Sequence, residues 1–179
     1  MKVICYGDSN TYGYDPRSYL GSRYDTPWTD ILAYLSGWEV ENQGENGREI
    51  PKTSIHFPEN TDLLIIMLGT NDLLQFWTPE AAADKMRRFL KSISIKRDHI
   101  LLISPPTMTS GTWVQEQDLI DDSISLADWF QKLSETLGVR YASAGEWSIP
   151  MAHDGVHMTE DGHRIFAEKL FAYISSYYL

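Results

Sequence analysis

Ser9 is the first side chain in this sequence that could carry chemistry. It stands in Gly7-Asp8-Ser9-Asn10, directly after the short run Lys2-Val3-Ile4-Cys5-Tyr6. The run is too short for a helix and rich in strand formers. It predicts a buried strand whose end lifts one hydroxyl to the edge of a sheet, where open α/β folds bind ligands. A serine there becomes a nucleophile only where a base and an oxyanion site converge on it. Three later motifs supply those parts: Gln43-Gly44-Glu45-Asn46-Gly47, Gly69-Thr70-Asn71-Asp72 and Asp154-Gly155-Val156-His157. Asp154 and His157 are three apart, which in one helical turn puts them on one side. An aspartate beside a histidine fixes its tautomer and stabilises the imidazolium.

The parts add up to an acyl-transfer site. Ser9 Oγ attacks an ester carbonyl, His157 takes its proton and returns it to the leaving alcohol, and Asp154 orients His157. The Ser9 backbone N–H, the Gly47 backbone N–H and the Asn71 side-chain amide face the oxyanion. Glycine at 47 lets the backbone itself approach the substrate; Gly44 is the alternative donor. Losing one such donor costs about 3–4 kcal/mol of transition-state stabilisation. The acyl-enzyme is open to water or to a second alcohol. Asp8, Tyr12, Trp77 and Trp113 are candidates for lining the substrate pocket, with Tyr14 beside Tyr12, and Arg48 reads as a surface charge. Each motif alone also has a bland reading, as a strand-end turn, as the turn chemistry of Gly, Asn and Asp, or as a helix-start capping pair. Their joint presence, in order and each at the end of an element, favours the catalytic one.

The elements that must position these groups follow in alternation. A polar, aromatic loop from Asn10 to Asp25 carries Tyr12, Tyr14, Tyr19 and Tyr24. Thr26-Pro27 predicts an N-cap and first helical position, with Trp28, Ile31, Leu32 and Leu35 at helical spacing and Gly37 as the stop. Trp38 to Asn42 alternates as a second strand. Leu63 to Leu68 is a continuous apolar run, as in a strand covered on both faces. Thr78-Pro79 opens a helix with Met86, Phe89, Leu90 and Ile93 on one face and Lys85, Arg87 and Arg88 turned elsewhere. His99 to Ser104 is the fourth strand. A helix marked by Ile120, Ile124, Ala127, Phe130, Leu133 and Leu137 ends at Gly138, and Val139 to Ala142 is the fifth strand. Thr159 caps a last helix, whose buried face is Phe166, Leu170, Ile174 and Tyr177. Such alternation predicts a mainly parallel five-stranded sheet with helices on both faces, in one domain spanning 1–179. Ser9, Gly47 and Asn71 each lie just past the carboxyl end of a strand, so their loops meet at one edge of the sheet.

The 179 residues carry a net charge of −10. That disfavours nucleic acid and anionic membrane surfaces, and favours a neutral substrate over a polyanionic one. The one cysteine, Cys5, falls inside the first strand and reads as a small core residue. No apolar run approaches the roughly 20 residues of a membrane span. The N-terminus lacks the basic and apolar segments of a leader, and cleavage there would remove Ser9; the expectation is a cytoplasmic protein that needs no cofactor. Oligomeric state is not readable from the sequence.

The sequence resembles the GDSL esterase/lipase family, also called SGNH hydrolases. The four blocks that mark that family are Gly7-Asp8-Ser9-Asn10, Asn42-Gln43-Gly44-Glu45-Asn46-Gly47, Gly69-Thr70-Asn71-Asp72 and Asp154-Gly155-Val156-His157, and they span nearly the whole chain. Asn10 departs from the Leu of the family name. The run Gly7 to Pro16 is similar to the small arylesterase and acyltransferase branch, whose pattern Gly47-Arg48 also follows. The resemblance implies a flavodoxin-like three-layer α/β/α sandwich, a Ser9–His157–Asp154 triad, and an oxyanion hole from Ser9, Gly47 and Asn71. It does not extend to ordinary α/β-hydrolases, whose elbow needs Gly two residues after the nucleophile; here that residue is Thr11. The expected activity is a serine esterase for short acyl groups, acetyl above all, on small neutral esters. A carbohydrate O-deacetylase is the alternative on substrate. A non-catalytic flavodoxin-like binding module is the alternative of another class. A metal site on His153 and His157, four apart with Asp154 between them and His163 nearby, is a third, but its required third ligand has no obvious source and Gly155 weakens the helix; otherwise His153 and His163 read as polar surface.

Overall fold

Alternation decides the core. In β1 (Lys2–Gly7) Ile4 and Tyr6 face one side while Val3 and Cys5 face the other. The central strands β3 (Leu63–Met67) and β4 (Ile100–Ser104) do the same: Leu64, Ile66, Ile100 and Leu102 join Ile4, and Leu63, Ile65, Met67, Leu101 and Ile103 join Val3. Both sets are buried, so each strand reads as a continuous apolar run. A computed structural model describes residues 1–18 and 20–178, which leaves Tyr19 of the aromatic loop outside the described residues. The five strands, with β2 (Glu39–Gly44) and β5 (Arg140–Ser143), are all parallel, in the order β2-β1-β3-β4-β5. That is the flavodoxin-like order, and it places the switch point, where ligands bind, at the carboxyl ends of β1 and β3.

Helices cover both faces. On the Ile4 side lie α4 (Pro79–Ser92), through Met86, Phe89 and Leu90, and α5 (Gln117–Leu137), through Leu126 and Phe130. On the Val3 side lie α2 (Trp28–Ser36), through Trp28 and Leu32, and α6 (Glu160–Tyr178), through Phe166, Leu170 and Ile174. Each such side chain contributes roughly 1.5–3 kcal/mol of burial. Thr78 caps α4 by accepting from Ala81 N–H at 3.2 Å, and Thr159 caps α6 by accepting from Gly162 N–H at 2.9 Å. No helix among the described residues is long and apolar enough to cross a membrane.

Several expectations need correction. Thr26 does not cap α2: Pro27 holds the cap position with no side-chain hydrogen bond. β2 runs two residues past Asn42, to Gly44. Ile124 and Tyr177 are exposed: the buried stripe of α5 runs through Ser123 and Leu126 instead, and the last side chain described as buried on α6 is Ile174. Two short helices, α1 (Ser9–Tyr12) and α3 (Thr70–Leu74), occupy stretches that read as loop and turn.

His163 is the largest departure from the surface reading. It is fully buried on α6, where its Nδ1 accepts from Trp28 N–H at 3.3 Å and its ring stands edge-on to Tyr24 at 5.2 Å. Burial, with His157 and Arg23 adding to it, pushes its pKa down to about 3. An unfolded chain binds that proton below pH 6.5, whereas the folded chain refuses it, so stability falls as pH falls from about 6.5 towards 3. Between pH 6.5 and 5 this single group costs about 2 kcal/mol. His163→Asn keeps an acceptor where Nδ1 stands but does not titrate. Urea unfolding at pH 7 and pH 5 should show a clearly smaller acid loss in the variant. Equal losses in both proteins would mean that the imidazole is not held neutral.

Candidate active site

The carboxyl end of β1 passes at once into α1. Asp8 caps this short helix, its Oδ1 accepting from Asn10 N–H at 3.0 Å, and Ser9 is the first helical residue. Ser9 Oγ lies 3.0 Å from His157 Nε2, and His157 Nδ1 lies 2.6 Å from Asp154 Oδ2. All three side chains are buried: Ser9 is 7 %, His157 3 % and Asp154 2 % exposed. The other Asp154 oxygen, Oδ1, accepts from Val156 N–H at 2.9 Å and His157 N–H at 3.0 Å. Burial alone would raise the Asp154 carboxyl, but His157 and these two amides outweigh it and hold the pKa below the ordinary carboxylate value. Gly155 makes this tight turn possible. Its φ is +83°, and a Cβ there would collide with the Thr109 carbonyl.

What locks the two halves together is Asn10. Its Nδ2 donates to Val156 O at 3.0 Å and its Oδ1 accepts from Met158 N–H at 2.8 Å, bracketing His157 from both sides. The residue that departs from the family name thus clamps the histidine turn to the helix that carries Ser9. Trp28 Nε1 in turn donates to Asn10 O at 3.0 Å. The His157 ring packs between Tyr14, at 4.6 Å, and the edge of Trp113, at 5.3 Å.

Gly69, at φ +124°, turns β3 into α3 and sets Asn71 in its first turn. Asn71 Nδ2 donates to Arg48 O at 3.1 Å, which leaves its second amide hydrogen for a substrate oxygen. Gly47 stands exposed at φ +75° with open space where a Cβ would be. Gly44 differs in both respects. Its N–H is taken by Asn42 Oδ1 at 2.8 Å, and a Cβ on it would collide with the Tyr12 backbone. Gly44 is therefore glycine because α1 passes against it, and Gly47 is the one with a free approach.

Other expectations divide. Trp77 and Trp113 line one cleft of about 500 Å³, with Leu73, Phe76, Leu119 and Asp122 among its other walls. Asp8 and Tyr12 do not line it. Asp8 is a buried cap whose carboxyl is pushed up to about 6 by burial, and Tyr12 spends its backbone against Gly44. Arg48 is not a surface charge. Its Nη1 donates to Gly7 O at 2.9 Å and to Gln43 O, and its guanidinium lies over the Tyr6 ring at 4.2 Å. Lys85 does not turn to solvent either; it is buried between Asp72 and Glu49. Burial opposes its charge, but the two carboxylates outweigh burial and raise its pKa. Cys5 is buried, and burial pushes its thiol pKa up. His153 is exposed, and among the described residues no group of three or more His, Cys, Asp or Glu side chains is placed to hold a metal.

Comparison with known proteins bears on this arrangement. No curated protein sequence matches the chain. Among solved structures, an aryl esterase of M. smegmatis is 25% identical, with 98% of each chain covered and a TM-score of 0.81. A carbohydrate acetylesterase from Sinorhizobium meliloti is 20% identical, with 98% of each chain covered and a TM-score of 0.79. A member of the lipolytic G-D-S-L family from Veillonella parvula is 19% identical, with 98% of each chain covered and a TM-score of 0.71. At those identities the last two speak to the fold alone. The sequence model of the GDSL-like lipase/acylhydrolase family matches residues 5–165, a span that holds all four motifs, the end of β1 and the whole of β2 to β5. So broad a match, on a sheet of this order, makes the protein a member of that family, with the SGNH hydrolase fold, and a carboxylic ester hydrolase.

Proposed function

We propose that the protein is a serine esterase that removes short acyl groups, acetyl foremost, from small neutral esters through an acyl-enzyme on Ser9. The observation that carries this reading is the line from Ser9 Oγ through His157 to Asp154, at 3.0 and 2.6 Å. As Oγ attacks the ester carbonyl, its proton passes to His157 Nε2, the Oγ–C bond forms and the carbonyl π electrons move to oxygen. Ser9 N–H, Gly47 N–H and the free hydrogen of Asn71 Nδ2 receive that oxyanion. Its collapse breaks the C–O bond to the alcohol, which leaves with the proton from Nε2. Water repeats the sequence and frees the acid; another alcohol in its place completes an acyl transfer. Asp154, ionised in the folded state, holds the proton on Nδ1 throughout.

The cleft beside Trp113 supports the choice of substrate. Its walls mix Trp77, Trp113 and Leu73 with Gln115, Glu116, Asp118 and Asp122. A long alkyl chain would desolvate those carboxylates without repaying them. An aryl ring fits the indoles, and the similar structure from M. smegmatis is an aryl esterase. A sugar fits the indoles with its faces and the carboxylates with its hydroxyls, which keeps carbohydrate O-deacetylation as the second reading. Hydrolysis of p-nitrophenyl acetate beside p-nitrophenyl octanoate tests the acyl length. Acetate is expected to lead by at least about tenfold in kcat/KM, since each misfit methylene is worth roughly 1 kcal/mol. A preference for octanoate would move the substrate to lipids. Acetate release from acetylated sugars, set against aryl acetates, separates the two alcohols.

A further inference from the structure

Gly47 has no side chain and open space where a Cβ would be, so its neighbours set its position: before it Glu45 N–H donates to Gly7 O at 3.1 Å, and after it come Arg48, Glu49 and Ile50. Those residues are strapped one after another. The Arg48 carbonyl accepts from Asn71 Nδ2 at 3.1 Å, Glu49 Oε2 pairs with Lys85 Nζ at 2.8 Å, and Ile50 N–H donates to Asp72 Oδ2 at 3.0 Å. Asp72 Oδ1 is the other partner of Lys85. Lys85 thus joins the segment behind Gly47 to the residue next to Asn71. Its own exposure is 4 %, Asp72 is fully buried, and the remaining side of the ammonium faces the Trp77 ring at 4.7 Å.

We propose that Lys85 is a positioning residue for the oxyanion site, bridging Asp72 and Glu49 so that the Gly47 N–H and the Asn71 amide stand at the spacing one oxygen requires. The proposal rests on the reading of Gly47 and Asn71 as oxyanion donors. Lys85 touches no reacting atom. A lysine suits the post because one point charge with three rotatable donors serves two carboxylates from different segments at once. Were its work only to hold the fold, the ion pair would be replaceable by uncharged groups at little cost to activity. Positioning makes a different demand, since donors misplaced by about 1 Å lose up to about 100-fold in rate.

Two variants test this. Glu49→Gln removes the charge at the strap's partly exposed end, where folding is at little risk, and leaves a weaker neutral hydrogen bond in place of the ion pair. Lys85→Met/Asp72→Asn removes both buried charges together, while the Asn amide oxygen still accepts from Ile50 N–H. Acylation and deacylation both pass through an oxyanion, so kcat for p-nitrophenyl acetate should fall whichever limits. The expected losses are about 3- to 10-fold for Glu49→Gln and about 10- to 100-fold for the double variant, with KM within about twofold. Inhibition by phenylboronic acid, whose Ser9 adduct places an oxygen in the same site, should weaken in parallel. A loosened fold alone would lower the melting temperature without moving that inhibition. Folded variants with wild-type kcat and wild-type boronate affinity would overturn the proposal. If the double variant does not fold, Glu49→Gln decides alone. Ser9→Ala run alongside separates the two levels: retained turnover there overturns the esterase reading itself, whereas turnover lost there and normal in the strap variants overturns only the role of Lys85.

Discussion

Replacing the hydroxyl of Ser9 with hydrogen, in Ser9→Ala, is expected to cut kcat for p-nitrophenyl acetate by about 10⁶-fold, the scale seen when a serine nucleophile is removed from an intact triad. The protein should otherwise stay as it is. Ser9 is the first residue of α1, whose start is held by Asp8 and whose clamp to the histidine turn is made by Asn10. The lost bond to His157 Nε2 is worth about 1 kcal/mol of stability. Some catalysis over water should survive, because the donors and His157 still surround a bound ester; the residue in comparable sites is about 10³–10⁴-fold. Cys5 offers no substitute nucleophile. It sits inside β1, and the raised pKa of its thiol keeps it protonated. A Ser9→Ala protein that kept even a few per cent of wild-type kcat, with contaminating esterase ruled out by repurification, would put the nucleophile elsewhere.

The parts of this molecule that were legible in its sequence are those with local causes. Strand β3 is announced by Leu63 to Leu68 because both its faces are covered, so no polar residue interrupts it. The order of polar motifs at strand ends was enough to bring the loops of Ser9, Gly47 and Asn71 to one edge of a parallel sheet, whereas Asp154 and His157, in the loop before the last helix, were joined to them by the base a serine nucleophile needs. The parts that were not legible have distant causes. Helices α1 and α3 are four and five residues long, too short to show a period. Lys85 follows the spacing of Ala82 and Phe89 onto the covered face of α4, but a lysine there reads as surface until Asp72 and Glu49, 13 and 36 residues away, are seen to meet it. His163 is the same case, its partner Trp28 lying 135 residues back. The choice between Gly44 and Gly47 turns on where the Tyr12 backbone passes, which no local pattern records.

Asp154→Asn should leave the fold in place and lower kcat by about 10⁴-fold, and the reason lies in the two backbone amides at its other oxygen. Val156 N–H and His157 N–H both point at Oδ1, so an asparagine at this position must set its carbonyl oxygen there; the opposite flip would face an NH₂ group to two donors. The NH₂ group is then forced onto His157 Nδ1. Nδ1 must accept, the ring proton moves to Nε2, and Nε2–H now points at Ser9 Oγ. An imidazole in that tautomer cannot take the serine proton. The loss therefore comes from the direction of one proton rather than from displaced atoms, and the turn keeps its hydrogen bonds. Asp154→Ala, by contrast, leaves two buried N–H groups unpaired, at about 1–3 kcal/mol each, and should be distinctly less stable. Measuring kcat and urea stability for both variants separates the roles. A large kcat loss at near-native stability in Asp154→Asn identifies the carboxylate as the keeper of the His157 tautomer. A variant within tenfold of wild type would reduce Asp154 to the cap of its own turn.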